Sequence, residues 1–181
     1  MSQRAIKQMR IVSIEGYCID TSALIDMWRK YYPKDVFPGV WDDLASLIRQ
    51  KILIAPRQVL DELERREDEL LKWAKDHKEM FIEPDEDLIV QTMDVIRTIS
   101  EMCKERNVRP PALDKTIEEA DPFVIALAEC RGFIVVSQEK PHPKGAPRIP
   151  DICERRCVKH LSVTEFFVRQ HEVRGWKYIR E

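Results

Sequence analysis

Four acidic residues, Asp20, Glu62, Asp121 and Glu139, stand where a fold could bring them to joint chemical use. Asp20 ends the apolar run Tyr17-Cys18-Ile19 and is followed by Thr21-Ser22 and then Ala23-Leu24-Ile25. That order reads as a buried strand stopping on an acid and passing into a hydroxyl-capped helix. Glu139 follows a second such run, Phe133-Ile134-Val135-Val136, by way of Ser137-Gln138. Glu62 comes shortly after a third, Ile52-Leu53-Ile54-Ala55, and Asp121 opens the apolar helix Pro122–Ala128. Carboxylates held a few ångströms apart raise one another's pKa values and destabilise a fold unless a cation intervenes. All-oxygen donors without paired His or Cys favour Mg²⁺ or Mn²⁺ over zinc. Such an ion activates water and offsets charge building on a phosphodiester.

Each acid also has a plain structural role open to it. Asp20 fits an N-cap, worth about 1 kcal/mol. Asp121 with Pro122 behind it fits an N-cap followed by proline at the first helical position. Glu139 fits a loop acid and Glu62 a solvated helix face. On a helical wheel Val59, Leu60 and Leu63 form the buried stripe, with Asp61 nearly opposite and Glu62 on its border. Only the elements that carry these residues decide between the two sets of roles.

Strands alternating with helices predict an α/β domain with a parallel sheet of about four or five strands flanked by helices, their carboxyl ends on one edge. A first helix is expected through Leu24, Ile25 and Trp28 as far as Tyr31-Tyr32-Pro33, and a second from Pro38-Gly39 through Trp41, Leu44, Leu47 and Ile48. A long charged helix is expected from Arg57 through Trp73-Ala74, and a packing helix from Pro84-Asp85 to Asn107. Cys157-Val158 reads as the last strand, and Ser162-Val163-Thr164-Glu165 as a capping box. Residues 1–16 read as an N-terminal lead, in which Ile11–Ile14 could be a short strand, and 17–181 as the domain. Arg109–Glu119 reads as a mobile loop.

The chain has 181 residues, 44% hydrophobic and 34% charged, enough for one continuous core. Its 30 basic and 32 acidic residues leave a net charge of −2, so any polynucleotide must be held by local patches. No window is apolar enough for a membrane span or the core of a signal peptide, and five cysteines without scaffold spacing suit free thiols, so a cytoplasmic protein without membrane partners is expected.

In the order and spacing of its short motifs the chain resembles the PIN-domain proteins, in particular a toxin-like branch. The likeness is carried by Tyr17-Cys18-Ile19-Asp20-Thr21-Ser22-Ala23-Leu24-Ile25-Asp26, Tyr31-Tyr32-Pro33 with Val36-Phe37-Pro38, Val59-Leu60-Asp61-Glu62-Leu63, Ala120-Asp121-Pro122-Phe123-Val124-Ile125-Ala126-Leu127-Ala128, Val135-Val136-Ser137-Gln138-Glu139 and Ile149-Pro150-Asp151-Ile152-Cys153. The resemblance implies a Mg²⁺- or Mn²⁺-dependent endoribonuclease, a toxin neutralised by an antitoxin protein. It places the family's metal-binding acids at Asp20, Glu62 and Asp121, and its supporting hydroxyl at Ser22. The family pattern hydroxyl-X-Asp is here Ser137-Gln138-Glu139, which leaves Glu139 and Asp151 both open as the fourth acid. Arg57, Lys140, Lys144 and Arg148 are the candidate RNA contacts.

Three further readings stand beside this one. A catalytically impaired PIN-like module would bind RNA or a protein without cutting. A homodimer could use the aromatics Trp28, Tyr31, Tyr32 and Phe37. Zinc could be held by Cys153, Cys157 and His160, perhaps with His142, although the C-x₃-C-x₂-H spacing fits no common zinc motif.

Overall fold

Strand β1 (Tyr17–Ile19) has β2 (Leu53–Pro56) and then β3 (Phe81–Ile82) on one side, and β4 (Ile134–Val136) and β5 (His160–Leu161) on the other. Every pairing is parallel in this computed structural model, which describes residues 15–110, 112 and 119–177. Cys18 stands beside Ile54 on one flank and Val135 on the other. The chain builds outward from β1 to β3 and then returns to the opposite side of β1, so the strand order reverses between β1 and β4. In open parallel sheets that crevice is where ligands collect. A five-stranded parallel sheet flanked by helices is the α/β architecture expected from the alternation of apolar runs.

The helices are α1 (Thr21–Asp26), continued by a π-helical segment (Met27–Tyr31), then α2 (Pro38–Arg49), α3 (Arg57–Glu64), α4 (Glu69–Asp76) and α5 (Glu86–Glu105). They are followed by α6 (Ala120–Arg131), α7 (Ile149–Arg155) and α8 (Val163–Arg174). Helix α6 packs on β1, β2 and β4 and is covered outside by α5. That position explains why Phe123 to Ala128 are buried on every face of the helix. Gly132, at φ 64°, closes α6 and turns the chain into β4. Among the described residues no helix is long and apolar enough to cross a membrane.

Two local expectations are corrected, and one strand, β3, carries no expectation from the sequence. The long charged helix is two, because the Asp68 carboxylate accepts a hydrogen bond from the Leu71 amide (3.1 Å) and starts α4 after a break at Arg65. Strand β3 has only two residues, too few to show a sequence pattern. The last strand is His160–Leu161 rather than Cys157-Val158, since Cys157 adopts φ 57° in a turn. The expected capping box at Ser162 and Glu165 is present, as is the helix start at Asp85. Of the N-terminal lead only Glu15 and Gly16 are described, so Ile11–Ile14 lie outside the described residues, as do residues 111 and 113–118 of the expected loop.

Candidate functional site

Asp20 leaves the end of β1 in extended conformation and caps α1 with its own side chain. Its Oδ2 accepts hydrogen bonds from the Ser22 amide (3.0 Å) and the Ser22 hydroxyl (2.5 Å). Its Oδ1 takes no hydrogen bond among the described residues. The Ser22 oxygen in turn accepts from the Gln138 amide (3.1 Å), which ties the ends of β1 and β4 together across the crevice. The expectation that Thr21 or Ser22 would cap the helix is therefore corrected. Thr21 instead donates its hydroxyl to Oε2 of Glu62 (2.6 Å), while the Ala120 amide donates to Oε1 (2.9 Å). Glu62 lies on the border of the stripe formed by Val59, Leu60 and Leu63, as the wheel predicts, and it reaches from α3 to the first residues of α1 and α6.

Asp121 is not the N-cap of α6; Glu119 holds that place and Asp121 stands one residue inside the helix. Its carboxylate takes no hydrogen bond among the described residues. Burial, and then the charges of Asp20, Glu139, Glu62 and Glu119, push its pKa well above the ordinary carboxylate range. Asp20 is pushed up to about 6, first by burial, against the lowering effect of the Ser22 hydrogen bonds, and further by the charges of Glu62 and Glu139. Asp20, Glu62, Asp121 and Glu139 therefore act on one another electrostatically at one edge of the sheet.

The donor chemistry fits a hard divalent cation: four carboxylates, no thiolate or imidazole among them, and uncompensated mutual repulsion. As arranged here, no three His, Cys, Asp or Glu side chains among the described residues form a group that could hold a metal ion. Both oxygens of Glu62 are committed to Thr21 and Ala120, and Oε2 of Glu139 accepts from the Ile149 amide at the start of α7 (2.9 Å).

Asp151, the other candidate for the fourth acid, is engaged by its own loop and by Arg106. Its carboxylate is buried, accepting from the amides of His142 (2.9 Å) and Arg148 (3.0 Å) and pairing with Arg106 (3.2 Å), while the adjacent Ile149 amide goes to Glu139. Burial alone would raise its pKa, but those amides and the guanidinium hold it below the ordinary range. Arg106 also donates to the carbonyls of His142 and Gly145, so the loop from Lys140 to Arg148 is pinned from inside. On that loop Lys140, Lys144 and Arg148 are exposed and make no ion pair among the described residues. Arg57 differs, being engaged by Asp61 (2.8 Å), Glu83 (3.4 Å) and Glu64 (3.6 Å). Ser137 is fully buried and hydrogen-bonded to His160 Nε2 (2.9 Å). Of the residues of the zinc reading, His160 bonds Ser137 through Nε2 and burial pushes the Cys153 thiol up to about 12, and no group of three such ligands forms among the described residues.

Thr21, Gln138 and Arg106 were not marked by the sequence as parts of the site. Thr21 adjoins Asp20 and Gln138 adjoins Glu139, a neighbourhood that could have singled them out; Arg106 carries no local signal. No curated protein matches the chain. A solved structure described as the crystal structure of PAE2754 from Pyrobaculum aerophilum is similar at 12% identity and a TM-score of 0.41, covering 94% of this chain and 99% of that one. A family model matches residues 17–174, nearly the whole described chain, and the protein therefore belongs to the DUF4411 family, a domain of unknown function.

Proposed function

We propose that the protein is a metal-dependent endoribonuclease of the PIN type that hydrolyses RNA phosphodiester bonds. The observation that carries this reading is the group of Asp20, Glu62, Asp121 and Glu139 at the strand-order reversal, with the pKa values of Asp20 and Asp121 raised by burial and by the neighbouring charges. Asp20, Glu62 and Asp121 would hold Mg²⁺ or Mn²⁺. When bound, the ion supplies compensation of that charge and Lewis acidity toward a phosphodiester and an attacking water. Ser22 orients Asp20 while binding the Gln138 amide, and Thr21 with the Ala120 amide orients Glu62. The exposed cations Lys140, Lys144 and Arg148, on the loop that follows Glu139, would meet the RNA backbone. The resemblance adds an antitoxin protein as the partner that would restrain this activity in the cytoplasm, and a homodimer as the form of the enzyme.

A binding module without catalysis is the second reading, favoured by the commitment of Glu62 and Glu139 oxygens to backbone amides and by the lack of a ready group of three ligands among the described residues. Cleavage of a generic single-stranded RNA, with Mn²⁺, Mg²⁺ or EDTA, separates the two. Wild type is expected to cut only with metal, and Asp20→Asn and Asp121→Asn to lose about 10²-fold or more of that rate. Cleavage that is equal in wild type and both variants, or absent with either metal, rejects the nuclease.

A further inference from the structure

Tyr31 is the last residue of the π-helical segment Met27–Tyr31, and among the described residues it is the only Phe, Tyr or Trp in the exposed class, at 41%. Its neighbours Trp28, Tyr32 and Phe37 pack against the core. A π-helical turn is rare, is less favourable than the α-helix it interrupts, and concentrates at functional sites. Here it delivers a ring that the hydrophobic effect alone would bury. The ring is nevertheless held in place: its hydroxyl accepts from Gln138 Nε2 (2.9 Å), and Gln138 Oε1 accepts from the Val163 amide (3.2 Å). The Gln138 amide donates to Ser22, whose hydroxyl donates to Asp20. An unbroken hydrogen-bonded chain thus runs from an acid of the candidate site to an open aromatic ring, and the loop bearing Lys140, Lys144 and Arg148 leaves from the residue after Gln138.

We infer that Tyr31 is a stacking platform for a nucleobase of single-stranded RNA, fixed by Gln138 beside the carboxylates so that a flanking base is clamped while the phosphate backbone follows the basic loop. The inference rests on the nuclease reading for its substrate class. Aromatic stacking is indifferent to base identity and strong for single strands, and a ring immobilised in advance loses little entropy on binding. A duplex, with its bases already stacked, would gain nothing from it.

The test is binding in EDTA, where no metal-dependent cleavage intervenes. Anisotropy of a labelled hexauridine, and of the same oligonucleotide with one abasic position scanned along it, is measured on the full chain as wild type, Tyr31→Phe and Tyr31→Ala. Wild type is expected to lose about 5- to 100-fold in affinity at one abasic position. Tyr31→Ala is expected to lose a similar factor on the intact RNA and nothing more at that position, and Tyr31→Phe to stay within about threefold of wild type. An abasic scan that is flat for wild type overturns the inference without calling on any variant, as does an unchanged affinity in a folded Tyr31→Ala. Should RNA be cut with Mn²⁺ while Tyr31 proves indifferent, the platform fails and the nuclease stands. If wild type shows the expected abasic penalty but cuts nothing with either metal, the platform stands and the nuclease fails.

Discussion

Asp20 combines two functions that the sequence presents as alternatives. One oxygen caps α1 through the Ser22 amide while the other is left free of hydrogen bonds among the described residues. A carboxylate has two oxygens, so capping α1 through Oδ2 leaves Oδ1 open to a ligand. That placement has an energetic consequence in metal-free protein. A pKa rise from the ordinary 3.8 to about 6 means the native state keeps its proton longer than the unfolded chain, so stability from this group falls as pH rises through that window and stays lost above it. Asp20→Asn removes the titration and can still cap. In EDTA its stability relative to wild type should therefore grow by roughly 2 kcal/mol between pH 4.5 and pH 7. Urea unfolding at both pH values measures the gap, and a gap independent of pH would show that Asp20 ionises as freely folded as unfolded.

At the scale of elements, the parts the sequence made legible are those whose causes are local. Tyr17-Cys18-Ile19 and Ile134-Val135-Val136 are apolar runs that end on polar residues, and Ser162 with Glu165 carries its own capping chemistry, so each is found where expected. What could not be read depends on partners distant in the chain. Asp151 follows Ile149-Pro150 as a candidate ligand would, yet it belongs to a clamp completed by Arg106 from the end of α5. Strand β5 is two residues long and exists through pairing with Val135 and Val136. The clamp makes its own prediction. Asp151→Ala leaves the Arg106 guanidinium and two amides without their acceptor, at a cost of about 3 kcal/mol in unfolding free energy. Because Asp151 is held low in pKa, its contribution is present above pH 4 and disappears as pH falls further. Denaturant unfolding should register the loss while Mn²⁺ affinity changes by less than about threefold; abolished Mn²⁺ binding with intact stability would place Asp151 in the ligand set.

For the whole molecule, parallel strands bring the ends of β1 and β4 and the helices behind β2 and before β4 to a single edge, and the net charge of −2 leaves no general field to mask what gathers there. The fold holds four carboxylates near one another against their repulsion, which makes the native state a better cation receptor than the unfolded chain, where the same residues are far apart. A cation that binds only the native state stabilises it by mass action, by about 2.7 kcal/mol at a hundred times its dissociation constant. For a chain of this size that amounts to a rise of about 5–10 °C in Tm. Mn²⁺ should produce such a rise in wild type and in Asp151→Asn, but little in Asp121→Asn, whose carboxylate has no hydrogen bond among the described residues to lose and whose substitution removes only charge from the edge. The metal-free Asp121→Asn protein should also melt above metal-free wild type at pH 8, since an acid with a raised pKa destabilises the fold once ionised. Differential scanning calorimetry with and without Mn²⁺ reads both effects. A wild-type Tm that ignores Mn²⁺ would mean that the fold tolerates the clustered charge without recruiting a cation, and the edge would then be a surface for binding rather than for hydrolysis.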